Sequence, residues 1–129
     1  MKRPTWVTNE PEWLRHCAEV VSMARAILSG SVSLTEGARA LAELGHSLRA
    51  VNGREFSTFV GIASETDAFP VGAVRDQWQI SALTALDSER KAVEAYFALA
   101  AEQAAKLLIA EYSHAQHGAQ ADGLRPPLS

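Results

Sequence analysis

The stretch that decides the fold is EPEWLRHCAEVVSMARAILSG, residues 10–30. Its apolar residues recur at steps of three and four, the repeat of one face of an α-helix. They are Trp13, Leu14, Cys17, Val20, Val21, Ala24, Ile27 and Leu28. Thr8 and Asn9 offer caps at its start, and Gly30 suits a C-terminal stop. The pattern therefore predicts an amphipathic helix over residues 10–29.

Two further segments with the same period follow along the chain. Ser33 and Glu36 form a capping box, and an apolar stripe after them predicts a helix over residues 34–52. A third stripe predicts a long helix over residues 87–114. The connection of about four residues between the first two helices favours an antiparallel hairpin.

The remaining segments are less regular. Residues 54–86 form an insert between the second and third main helices, and we predict short helices there, because a lone strand would have no partner. The polar residues 116–129 are predicted to be a flexible tail. The expected fold is all-α, with residues 1–129 as one antiparallel bundle of three main helices plus the insert.

Two glycines interrupt the second helix on or beside its apolar stripe, Gly37 and Gly45. Glycine inside a helix costs up to about 1 kcal/mol relative to alanine. We expect the compensation to be close approach of a neighbouring helix or of a bulky aromatic side chain.

Composition excludes several classes of protein. Of 129 residues, 47% are hydrophobic and 21% charged, which supports a folded core rather than disorder. Twelve Lys and Arg against fifteen Asp and Glu argue against nucleic-acid binding. One cysteine excludes an internal disulfide scaffold. We expect no signal peptide, because no apolar run follows Lys2 and Arg3, and no membrane span, because no apolar run approaches about 20 residues. We therefore expect a cytoplasmic protein with no membrane partner.

A metal centre is the first catalytic hypothesis to test. Glu43 with His46, and Glu111 with His114, have the Glu-x-x-His spacing of carboxylate-bridged di-iron bundles, to which Glu19 could contribute. At about 100° per residue, however, Glu43, His46 and Glu19 point away from their apolar stripes, toward solvent. We therefore predict no metal site and no cofactor.

Nucleophilic catalysis has no better support. Cys17 lies within the first apolar stripe, and His16 beside it faces another direction, so we predict that Cys17 is a small core residue. Without strands there is also no place for a glycine-rich phosphate loop. We therefore assign no catalytic residue and predict that the protein is not an enzyme.

The insert contains the most informative polar stretch, SETDAFPVGAVRDQW, residues 64–78. One interpretation makes Glu65, Asp67, Arg75 and Asp76 a polar binding surface with Trp78 as an aromatic anchor. The other interpretation is a structural turn, in which Glu65 or Asp67 pairs with Arg75 and Trp78 fills the core. The two interpretations are compatible.

The pattern SETD-x-x-PVG-x-x-R in this stretch, together with ILSGSVSLTEGARALAELGHSL before it, resembles a family of small all-helical bacterial proteins without an established activity. In size and helical build the chain is also similar to the immunity proteins of bacterial toxin systems. That second resemblance implies tight binding to one cognate toxin and no catalysis.

Three hypotheses of function follow. The first is a non-catalytic protein-binding module, such as an immunity-type protein that occludes a toxin. The second is an enzyme or small-molecule sensor whose inter-helix pocket holds Glu65, Asp67 and Arg75. Its walls would be aromatic: Phe56, Phe59 and Trp78. The third is a homodimeric structural module that pairs through the two glycines or through the long last helix.

Overall fold

The computed structural model describes residues 3–50 and 53–124, with the backbone alone for residues 114–124. Its four α-helices are α1 (Glu10–Ser29), α2 (Leu34–Ser47), α3 (Arg54–Glu65) and α4 (Ile80–Leu124), and a 3₁₀ helix (Gly72–Gln77) lies between α3 and α4. No strand occurs within these ranges. The predicted all-α bundle is confirmed.

The two helix starts predicted from local capping residues are confirmed. The Asn9 side chain accepts a hydrogen bond from the backbone N–H of Glu12, and Ser33 does the same for Glu36, each at 3.1 Å. Gly30 ends α1 in the left-handed conformation, at φ 78°. These signals act within a few residues, so they can be recognised without the fold.

The end of α2 differs from the prediction. The helix ends at Ser47, not at residue 52, because Arg49 adopts a left-handed conformation at φ 53°. The backbone N–H of Ala50 then donates to Gly45 and that of Arg49 to His46, the pattern of a Schellman motif. A non-glycine residue rarely adopts this conformation, so the sequence does not indicate that the helix ends here.

The last helix is longer than predicted at both ends. It starts at Ile80 rather than at residue 87, and the backbone N–H of Leu83 donates to the carbonyl oxygen of Gln79 in its first turn. Its backbone stays helical to Leu124, so residues 116–124, predicted to be part of a flexible tail, belong to the helix. The expected tail beyond Leu124 lies outside the described residues.

The core lies between the four helices and takes buried side chains from each of them. The ring of Phe56 from α3 packs edge-on against Tyr112 of α4, with the centroids 5.7 Å apart. α4 contacts both α1 and α3, and α2 contacts α1 and α3. Because α3 supplies Phe56, Phe59 and Ile62 to the core, it is a full member of the bundle rather than part of an irregular insert.

Both glycines of α2 are in close contact with neighbouring side chains, as expected. A Cβ atom on Gly37 would overlap the side chain of Ile27, and one on Gly45 would lie 2.8 Å from Cδ1 of Phe56. Each glycine therefore allows a close approach that alanine would obstruct.

The segment before α1 docks on the bundle. Trp6 and Val7 are half-buried against the core. The guanidinium carbon of Arg49 lies 4.6 Å from the centroid of the Trp6 ring, within the range of a cation–π contact. Within the described part of the chain, no helix has the length and apolarity needed to cross a membrane.

Candidate functional site

Four of the five residues predicted to bind a partner are exposed around the 3₁₀ helix. Glu65 ends α3, Asp67 follows it, Asp76 lies on the 3₁₀ helix and Trp78 comes directly after that helix. The Trp78 side chain is 42% exposed. The interpretation in which Trp78 fills the core is therefore wrong.

The fifth residue, Arg75, is bound to a carboxylate of the same chain. Its guanidinium donates two hydrogen bonds to the two carboxylate oxygens of Asp87 on α4, at 2.7 and 2.8 Å. It also donates to the carbonyl oxygen of Pro70 at 3.3 Å. The predicted pairing of Arg75 with Glu65 or Asp67 is therefore wrong.

The ion pair shifts the titration of both of its groups. The hydrogen bonds from Arg75 lower the pKa of Asp87 below its ordinary value, and the same hydrogen bonds raise the pKa of Arg75. Both groups thus stay charged at neutral pH. The bidentate contact attaches the 3₁₀ helix to α4, and the backbone N–H of Trp78 donates to the carbonyl oxygen of Arg75 at 3.0 Å.

Buried hydrogen bonds to the backbone stabilise the turn that carries Glu65 and Asp67. Thr66 is fully buried, and its hydroxyl donates to the carbonyl oxygen of Ile62 at 2.7 Å. Arg39 of α2 donates to the carbonyl oxygens of Thr66 and Phe69. These contacts leave the flanking carboxylates of Glu65 and Asp67 exposed. Sequence reasoning missed Arg39, because nothing near it in the chain indicates so distant a partner.

Exposed apolar side chains accompany the acidic ones. Val74 on the 3₁₀ helix and Ile80 at the start of α4 are both exposed on either side of Trp78 in the chain. We call this set the insert surface, and within residues 65–80 it supplies three exposed carboxylates and three exposed large apolar side chains. Its members are Glu65, Asp67, Val74, Asp76, Trp78 and Ile80.

The aromatic walls expected for an inter-helix pocket do not lie together. Phe56 and Phe59 are in the core, at 2% and 0% exposure, whereas Trp78 is on the surface. Arg75, expected as a polar group of that pocket, is bound to Asp87. These positions do not favour the pocket as the sequence suggested it.

Three residues of the metal hypothesis point to solvent, as predicted for these three. Glu43, His46 and Glu19 are exposed. Glu19 and Glu43 line one groove of about 420 Å³ between α1 and α2, together with His16. No group of three or more His, Cys, Asp or Glu among the described residues is arranged to hold a metal ion. The side chain of His114 lies outside the described residues.

Two ionisable groups are buried in the core. Burial raises the pKa of the Cys17 thiol to about 11 and also raises the pKa of Tyr112. Cys17 is completely inaccessible. A neutral, inaccessible thiol is a poor nucleophile, which fits its predicted place as a core residue.

Comparison with known proteins gives no family and no relative: no family model, no curated protein and no solved structure matches this chain.

Proposed function

We propose that this protein is a non-catalytic binding module that recognises a basic protein partner through the insert surface. The observation that carries the proposal is Trp78, a large aromatic side chain exposed on a segment that the Arg75–Asp87 ion pair attaches to α4. Exposed tryptophans of this kind are typical energetic centres of protein interfaces, since a rigid side chain loses little entropy on binding.

The charges of the segment that carries Trp78 define the chemistry of the partner. Glu65, Asp67 and Asp76 are acidic and exposed, and the one arginine among the predicted binding residues is neutralised by Asp87. An acidic surface attracts a basic one and speeds association, and the effect falls as salt rises. A basic cleft is therefore the surface that fits.

The finer proposal is an immunity-type role in the cytoplasm, in which the module occludes the active site of a cognate toxin. Toxins that act on nucleic acids need basic clefts to bind phosphate. Exposed carboxylates on the same segment as an exposed aromatic residue suit such a cleft. The proposal needs no catalytic residue and no cofactor in this protein.

The test is capture of the partner from a lysate of the source cell, followed by binding measurements with purified variants. Trp78→Ala removes the anchor, and Asp67→Arg reverses one charge of the insert surface. Leu28→Ala and Glu43→Arg make matched changes at exposed positions away from it. We expect the first two variants to bind at least about 10-fold more weakly and the two controls to bind normally.

Two results would contradict the proposal. One is a partner that all four variants bind equally, which would place the interface elsewhere. The other is the capture of no protein, together with stabilisation of the fold by a metabolite, which would favour the sensor hypothesis. For the toxin role, the purified module must also inhibit the partner's activity at a one-to-one ratio.

A further inference from the structure

An open cavity of about 550 Å³ lies between the end of α3 and the first half of α4. Glu65, the last residue of α3, lines it from one helix, and Ala92, Val93, Tyr96 and Phe97 line it from the other. Glu65 also belongs to the insert surface, so the cavity adjoins that surface. The cavity therefore combines one carboxylate with two aromatic rings.

The two aromatic rings of the cavity form a corner. The ring centroids of Tyr96 and Phe97 are 5.0 Å apart, and the angle between the ring planes is 88°. Phe97 packs against the core, whereas the Tyr96 side chain is 81% exposed. The face of an aromatic ring is electron-rich and attracts a cation that lies over it. An exposed ring in the same cavity as a carboxylate is therefore suited to a cationic group.

No basic side chain among the described residues pairs with Glu65. The neighbouring basic residues bind other groups or point away from the cavity. Arg39 donates to backbone carbonyl oxygens of the turn after α3, and Arg90 pairs with Glu94 at 3.1 Å. Lys91 lies about 170° around α4 from the centre of the cavity wall. The carboxylate of Glu65 is therefore available to a cation from outside.

Two further features add negative charge near the cavity. Glu65 lies at the C-terminal end of α3, where the helix dipole places partial negative charge, and the last turn of α3 has no basic residue. Glu89 is exposed on α4 one turn before Val93, on the same face of the helix. The cavity therefore attracts a cation that the described part of the chain does not supply.

We propose that this cavity binds an arginine side chain of the basic partner, with the guanidinium stacked on the Tyr96 ring and hydrogen-bonded to Glu65. A guanidinium is planar, so it stacks on a ring face, and its N–H groups form a fork that matches a carboxylate. A lysine ammonium has the charge but neither the planar face nor the fork. That the arginine comes from a partner protein rests on the proposed function, whereas the chemistry of the cavity can be tested without a partner.

The test of the cavity is fluorine NMR of the full chain labelled with 3-fluorotyrosine. The protein has two tyrosines, Tyr96 in the cavity and Tyr112 in the core, so the Tyr112 resonance is an internal reference. The probe is N-acetyl-arginine amide, and its control at matched ionic strength is N-acetyl-citrulline amide, which has nearly the same shape and no charge. We expect the arginine derivative to shift the Tyr96 resonance and not that of Tyr112, at millimolar concentrations because one exposed cation contact is weak.

Matched variants show which group the probe contacts. Glu65→Gln should reduce the shift of Tyr96 at least about two-fold, and Glu43→Gln, the same change on the exposed face of α2, should leave it unchanged. A Tyr96 resonance that does not move, that moves equally with the citrulline derivative, or that moves equally in Glu65→Gln would overturn the inference. A shift with N-acetyl-lysine amide as large as that with the arginine derivative would overturn the assignment to a guanidinium.

Binding of the captured partner provides a second measurement. Tyr96→Phe keeps a ring face, whereas Tyr96→Leu keeps only the apolar bulk. We expect Tyr96→Leu to weaken partner binding about 3–10-fold and Tyr96→Phe to weaken it less than about 2-fold, because the ring face and not the hydroxyl attracts the cation. Equal losses in the two variants would contradict the stacking.

The two proposals fail in different ways. A Tyr96 shift that depends on Glu65, together with a partner that tolerates Trp78→Ala and Asp67→Arg, would support the cation site and overturn the proposed function alone. A partner that needs Trp78, together with a Tyr96 resonance that no arginine derivative moves, would overturn this inference alone.

Discussion

At the scale of single residues, Gly45 shows how closely α2 and α3 pack. A Cβ atom at this position would lie 2.8 Å from Cδ1 and 3.0 Å from Cγ of Phe56. The ring is almost completely buried, and Cγ is attached too near the backbone to swing away. The glycine of α3 at position 61 differs, because a Cβ atom there would meet nothing within 4 Å.

This contrast predicts opposite effects for the same substitution. Gly45→Ala gains about 1 kcal/mol of helix propensity but overpacks the core by about 1–3 kcal/mol, so we expect a net loss of about 1 kcal/mol. Gly61→Ala has only the gain and should stabilise the fold by about 0.5–1 kcal/mol. Urea unfolding of both variants measures the difference, and a stabilising Gly45→Ala would contradict the packing described here.

At the scale of elements, the Arg75–Asp87 ion pair attaches the 3₁₀ helix to α4 and should make stability depend on pH. The pKa of Asp87 is lower in the folded protein, because Arg75 donates hydrogen bonds to its charged form. Its contribution to the free energy of unfolding is therefore complete above the unfolded pKa of about 3.9, and it is lost as pH falls through the lower folded pKa.

We expect Asp87→Asn to lower the free energy of unfolding at pH 7 and to unfold at nearly the same urea concentration as the wild type near pH 2. Asp76→Asn removes an equal charge from the exposed part of the same 3₁₀ helix and is the control. Urea unfolding at the two pH values measures both variants. A deficit of Asp87→Asn that is unchanged at pH 2 would show that the carboxylate does not act through its charge.

The ends of the elements also show what local sequence can predict. Both starts that rest on caps, at Asn9 and at Ser33, were predictable because donor and acceptor are three residues apart. The end of α2 was not, because Arg49 stands where a glycine would have signalled the left-handed turn. The start of α4 was not either, since Gln79, the residue directly before it, is not one of the side chains that signal a helix start.

At the scale of the whole molecule, Glu94 joins α4 to the first turn of α2. Its carboxylate accepts hydrogen bonds from the hydroxyl and the backbone N–H of Thr35, at 2.7 and 3.0 Å, across 59 positions of sequence. Arg90, one turn earlier on α4, donates to the same oxygen at 3.1 Å. Thr35 is fully buried, so it depends on this acceptor.

We expect Glu94→Ala to lower the free energy of unfolding by about 1–3 kcal/mol, because it leaves the Thr35 hydroxyl and amide buried without an acceptor. Glu94→Gln keeps a carbonyl oxygen and should recover part of the loss. Glu102→Ala removes an exposed pair with Lys106 on the same helix and should change stability by less than about 0.5 kcal/mol. Equal losses for Glu94→Ala and Glu102→Ala in thermal unfolding would contradict the role of Glu94.

The sequence by itself determined the helical class, the starts of α1 and α2 and most of the core stripe of α1, because periodicity and capping act over a few residues. The tertiary structure alone decided that Trp78 is exposed, that Arg75 binds Asp87 and that one face of α4 stays uncovered. These outcomes depend on how many helices surround a given face, and that number is set by contacts between residues far apart in the chain. The candidate surfaces of this protein therefore depend on its tertiary contacts and not on local sequence.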